Sequence, residues 1–64
     1  MRRALIIHKI RALLASGLAF TVPEIAQRVS CHRTAAYNCL AVMQRHGEVR
    51  RQRQEKFYVY RRAA

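Results

Sequence analysis

Few side chains in this chain are equipped to break a bond, and many are equipped to hold a phosphate. Its 64 residues carry thirteen Lys and Arg against three Glu, a formal charge of +10. Only Lys9 and Lys56 are lysines, so the charge is overwhelmingly arginine. A guanidinium fork matches phosphate oxygens and guanine edges better than an ammonium does. The carboxylates Glu24, Glu48 and Glu55 form no pair, and no nucleophile–base pair or phosphate loop occurs, so no enzymatic site is expected. Cys31, His32, Cys39 and His46 lack the tight paired spacing of zinc ligands, and neither a metal nor a cofactor is expected. A charge this high disfavours the compact monomer by self-repulsion and fits a polyanionic partner, either nucleic acid or an anionic membrane surface.

A chain of this length forms one domain, 1–64, with a small core, because it buries only about 60% of the surface its unfolded form exposes. Apolar residues at 6, 10, 13 and 14 predict a first helix from about Arg3 to Ser16, stopped by Gly17. Leu5 and Ile7 widen its apolar stripe, toward either the hairpin or a dimer face. Thr21 followed by Glu24 is a capping box with Pro23 in the first turn, which predicts a second helix over 22–29. Ser30 and Cys31 form a turn in which Ser30 is placed to cap a third helix, 32–46, that ends at Gly47. On that helix Ala36, Leu40 and Met43 share one face with Cys39 beside them, while Thr34, Asn38, Ala41 and Arg45 lie opposite. The exposed side is small or polar at its centre, which lets it approach a groove closely. The expected core is Ile6, Ile10, Leu13, Ile25, Val29, Leu40 and Met43.

Two strand-like runs follow, 48–53 and 56–61, the second rich in aromatic and β-branched residues. A loop centred on Gln54 and Glu55 pairs 51 with 58 and 49 with 60, placing Val49, Tyr58 and Tyr60 on the inner face and Phe57 and Val59 outside. In that register Arg51 turns inward. The loop has no Gly, Asn or Asp, which disfavours a tight two-residue turn. Eight residues separate Cys31 from Cys39, about 12 Å of helical rise, too far for a disulfide. A reducing, cytoplasmic setting is expected. His8, Lys9 and Arg11 interrupt the N-terminal apolar run, which therefore fits neither a signal peptide nor a membrane span.

The segment TVPEIAQRVSCHRTAAYNCLAVMQRHGEVRR, closed by Tyr58-Val59-Tyr60, resembles the winged helix-turn-helix of DNA-binding transcription regulators. Ile25-Ala26, Ala36, Leu40, Met43, Gly47 and Val49 occupy the places of that family's spaced aliphatics, glycine and strand. Its compactness is most similar to the very small fimbrial-operon or phage and plasmid regulators. The resemblance implies an α+β fold of three helices followed by a two-stranded basic wing. It implies that His32, Arg33, Thr34, Tyr37 and Asn38 of the third helix enter a major groove. Arg33 then suits guanine O6/N7, Asn38 adenine N6/N7, and Thr34 a thymine methyl or a phosphate. The wing residues Arg50, Arg51, Arg53, Gln54 and Lys56 follow the backbone or enter a minor groove.

The expected activity is sequence-specific binding of double-stranded DNA by a nucleoid-associated regulator of transcription. Two copies on DNA are expected, as a homodimer or by cooperative loading, because a single small module buries only roughly 600–1,000 Å². An excisionase-like DNA bender, a co-regulator acting on another DNA-bound protein, and an RNA- or ribosome-binding protein use the same charge. A membrane-active peptide is disfavoured, since the apolar residues are committed to a core.

Overall fold

The computed structural model describes residues 3–63, and its element order is α1 (Arg3–Leu14), α2 (Val22–Val29), α3 (Arg33–Arg45), β1 (Val49–Gln54) and β2 (Phe57–Arg62). The three helices enclose a core of Ile6, Ile10, Leu14, Ile25, Leu40 and Met43, with Ala36 and Cys39 completing the α3 side. Leu13 was expected in this core and lies at its edge; Leu14, one residue on, points inward instead. Burial raises the Cys39 thiol above the ordinary cysteine range, and Cys31 and Cys39 are both free.

The start of α2 is as its sequence predicts. The Thr21 side chain accepts from the Glu24 N–H, and the Glu24 carboxylate accepts from the Thr21 N–H at 2.8 Å. The end of α2 differs from expectation. Ser30 does not cap α3; it adopts a left-handed backbone, φ 57°, and closes α2. Its N–H reaches Gln27 O and the Cys31 N–H reaches Ala26 O, the paired bonds of a Schellman ending. His32 caps α3 in its place, its Nδ1 accepting the Thr34 N–H at 3.1 Å. Gly47, φ 79°, ends α3 with the same pair of bonds that Ser30 makes, to Gln44 O from its own N–H and to Met43 O from Glu48.

The hairpin pairs Val49 with Arg62, Arg51 with Tyr60, Arg53 with Tyr58 and Gln54 with Phe57. This is two residues away from the expected pairing of 51 with 58 and 49 with 60. Because side chains alternate with period two, the slip keeps Val49, Tyr58 and Tyr60 on one face. Two contacts at the base set the register. Tyr60 exchanges backbone bonds with Phe20 at 2.8 and 3.0 Å, and the Ala63 N–H reaches Glu48 O at 3.0 Å. The connection is then a two-residue turn, Glu55-Lys56, despite the absence of Gly, Asn or Asp, and Glu55 takes φ 56° to make it. Only the base of the hairpin reaches the core, through Val49 and Tyr60. Tyr58, expected inside, is 43% exposed, and Val59, expected outside, is only 8% exposed although it lies apart from the core cluster. Leu5 remains exposed, while Ile7 packs at the core's edge.

Candidate nucleic-acid interface

All ten residues expected to contact nucleic acid are exposed: His32, Arg33, Thr34, Tyr37 and Asn38 on or beside α3, and Arg50, Arg51, Arg53, Gln54 and Lys56 on the hairpin. Packing of Ala36, Leu40 and Met43 turns the polar side of α3 outward and holds it there. The His32 cap fixes the first turn of α3. It also leaves Nε2 as that ring's available N–H donor, next to Arg33 and Thr34.

The fold brings some of these residues together and separates others. Tyr37 of α3, Arg51 of β1 and Lys56 of the turn line one open groove, with Thr21 and Val22 at the start of α2 as its floor. In the first turn of α2 Pro23 has no N–H and the Glu24 N–H is bonded to the Thr21 hydroxyl, so the hollow's attraction for an anion comes from Arg51 and Lys56. Glu24 sits at that helix start, and its carboxylate is held below the ordinary glutamate range, chiefly by the Thr21 backbone N–H and then by the Thr21 hydroxyl. Asn38 lies on the other flank of α3, in a separate hollow beside Arg3 and Ile6 of α1. Arg50 lies on the opposite sheet face from Arg51, directly across from Arg61.

Arg51 shares a face with Tyr60, as the inward reading had it, yet its guanidinium is exposed. It stacks on the Tyr58 ring at 4.4 Å from the centroid, and Arg53 approaches the same ring at 5.9 Å. Arg53 also donates from Nε to the Glu55 carbonyl at 3.1 Å. Tyr58 thus organises two wing arginines, a role the sequence did not suggest. The signal was an aromatic across from an arginine, already present in the expected pairing of 51 with 58; the observed register adds Arg53 directly opposite the same ring. The acidic groups leave the wing uncompensated. Glu24 is engaged in its cap, and Glu48 takes Arg11 in a two-bond pair at 3.0 and 3.1 Å. Among the described residues that Arg11–Glu48 pair is the only salt bridge. No cluster of three or more His, Cys, Asp or Glu among them is placed to hold a metal ion, and no helix is long and apolar enough to cross a membrane.

Three helices and a following antiparallel hairpin, with α2 and α3 joined by a tight turn, make this chain a winged helix-turn-helix domain. It is similar to the Zα domain of PKZ from Carassius auratus, solved in complex with Z-DNA, with a TM-score of 0.82 and 17% identity over 94% of this chain and 95% of that one. It is also similar to reduced HlyU from Vibrio cholerae N16961, with a TM-score of 0.69 and 21% identity over 97% of this chain and 74% of that one. No family model matches the chain, and no curated protein matches it in sequence.

Proposed function

We propose that the chain binds double-stranded DNA sequence-specifically and regulates transcription, with α3 in the major groove and the hairpin on the adjacent backbone or minor groove. The observation that carries this reading is the convergence of Tyr37, Arg51 and Lys56 with the start of α2 in one open groove beside the exposed side of α3. The similar Zα domain was solved in complex with Z-DNA, and that likeness lends support. In this reading Arg33 and Asn38 supply base contacts, since bidentate donors and acceptors distinguish guanine and adenine. His32 donates from Nε2 and Thr34 from its hydroxyl to a phosphate or base edge. Arg50, Arg51, Arg53, Gln54 and Lys56 engage phosphates, which position the domain without reading sequence. Two copies occupy one operator, as a dimer or by cooperative loading, in keeping with the small footprint of one module.

The test is selection of bound duplexes from a random pool, followed by stoichiometry on the winning site. Because the higher TM-score is to a domain solved on Z-DNA, a left-handed alternating CG duplex is tested in parallel. An enriched motif that the Arg33→Ala variant relaxes at one position is the expected result. A pool that shows no enrichment, with Arg33→Ala binding as the parent does, would refute the proposal.

A further inference from the structure

A second hollow gathers cations apart from the groove beside α3. It lies at the base of the wing and is lined by Gln44 at the end of α3, Arg50 and Arg51 of β1, and Arg61 and Arg62 of β2. Arg50 and Arg61 face each other directly across the strands. Like charges placed opposite one another in a sheet oppose folding. Arg62 sits one pair further on, across from Val49. None of these four arginines has a carboxylate partner among the described residues, where the one salt bridge joins Arg11 to Glu48. The fold therefore gathers four guanidinium groups in a concave place at a cost to its own stability, with no internal anion to offset them.

The sheet topology says where this place points. Phe20 bridges to Tyr60 on the far side of β2, which makes β2 the middle of the sheet and leaves β1 at its edge. Arg51 lies on the face that carries Tyr60, whereas Arg50 and Arg61 lie on the opposite face. The hollow consequently runs around the free edge of β1 from one sheet face to the other. Arg51 lines both this hollow and the groove with Tyr37 and Lys56, so the two adjoin at its side chain. Cations that wrap an edge and continue an existing groove suit an extended polyanion with charge along its length. They suit a second copy of the same edge poorly, because pairing two β1 edges would bring arginine against arginine.

We infer that the Arg50–Arg61–Arg62 surface is a second phosphate-binding site, which takes the DNA backbone flanking the segment that α3 reads. This rests on the DNA-binding reading above and extends the footprint of each copy beyond the recognition helix and the wing tip. Arg61 and Arg62 are then binding residues; Arg50 works with Arg61 on the outer face of the hairpin, and Arg62 reaches the hollow from the other face. Flanking duplex contributes affinity and salt dependence but no base preference, since contact is to phosphate alone.

The experiment uses the shortest duplex that retains full specificity and the same duplex lengthened by about one helical turn, about 10 bp, at each end. The parent binds the longer duplex more tightly. The double variant Arg61→Gln with Arg62→Gln loses roughly tenfold on the longer duplex, with a salt slope shallower by about two, and binds the short one as the parent does. The free variant melts at or above the parent temperature, because the opposed pair is gone; this separates lost contact from lost fold. Equal weakening on both lengths, or no weakening on either, overturns the flanking-backbone assignment while leaving Arg33-dependent recognition intact. Selective capture of an aspartate-rich peptide by the parent but not the variant, with no effect of duplex length, overturns it in favour of an acidic protein partner. Failure of the short duplex to bind in an Arg33-dependent way defeats the reading beneath it instead.

Discussion

The exposed side of α3 and the inner face of the wing meet at one groove, yet they are held in place by different physics. Behind α3 lie Ala36, Leu40 and Met43, all buried, with His32 capping one end and Gly47 closing the other. Beyond Tyr60, by contrast, the hairpin has no core beneath it. Its arginines are arranged by the Tyr58 ring, by one bond from Arg53 to the Glu55 carbonyl, and by a turn in a backbone conformation glutamate disfavours. A rigidly backed helix suits base contacts, which need fixed geometry to discriminate. A hairpin held by cation–π stacking suits phosphate contacts, which tolerate small movements.

Substitutions that remove one support at a time sharpen this contrast. Leu40→Ala deletes a fully buried side chain behind α3 and should cost about 2–5 kcal/mol of stability by denaturant unfolding. Tyr58→Ala removes a half-exposed ring under two arginines and should cost about 1 kcal/mol or less. Comparable losses from both would mean that the wing is as firmly built as the helix. In binding, Arg33→Ala should lose about 1–3 kcal/mol on the selected site and relax one base position. Arg53→Ala should weaken all sequences alike and flatten the salt slope by about one. If both variants lose equally on selected and random duplexes, the division of labour between helix and wing is wrong.

The same division decides how much the sequence disclosed. The span of α2 was legible to the residue, because Thr21, Pro23 and Glu24 act through bonds within a few positions. The face of α3 was legible because Ala36, Leu40 and Met43 recur at helical spacing. The cap of α3 was not: two neighbours competed, and Ser30, the better capping type, was taken by the left-handed ending of α2, leaving His32. Leu13 and Leu14 flank the edge of one stripe, where a small rotation of α1 decides between them. The wing register was illegible for a deeper reason. It is set by Phe20 meeting Tyr60 and by Glu48 meeting Ala63, contacts between distant parts of the chain that no local pattern encodes. The placing of Arg53 opposite Tyr58 and the Arg50–Arg61 opposition inherit that illegibility, whereas Arg51 already faced Tyr58 in the expected pairing.

A third pair of variants compares the end of α3 with the wing tip, since both use a left-handed residue. Gly47 has φ 79° with nothing within 4 Å of where a Cβ would stand. Gly47→Ala therefore meets no clash, and its expected loss of about 1–2 kcal/mol is the cost of the backbone conformation itself. Glu55 bears that cost already at φ 56°. Glu55→Gly should raise stability by up to about 1 kcal/mol, the relief being partly offset by the greater freedom of glycine in the unfolded chain. A loss on Glu55→Gly would show that the wing turn is held by more than its backbone.

The smallest expected effect concerns acid, and it falls on the helix side of the comparison. Glu24 is ionised in its capping box, where the Thr21 N–H and hydroxyl stabilise the carboxylate and hold it below the ordinary glutamate range. A carboxylate with a depressed folded-state pKa contributes stability that is complete above its unfolded pKa and is lost as pH falls through the folded one. Stability should accordingly decline below about pH 4.5 as this cap is protonated. Glu24→Gln keeps a hydrogen-bond acceptor without the charge and should flatten that part of the profile. Melting temperatures of parent and variant from neutral pH downward test this. An acid limb that persists unchanged in Glu24→Gln would show that the pH-sensitive support does not lie in the capping box at the start of α2.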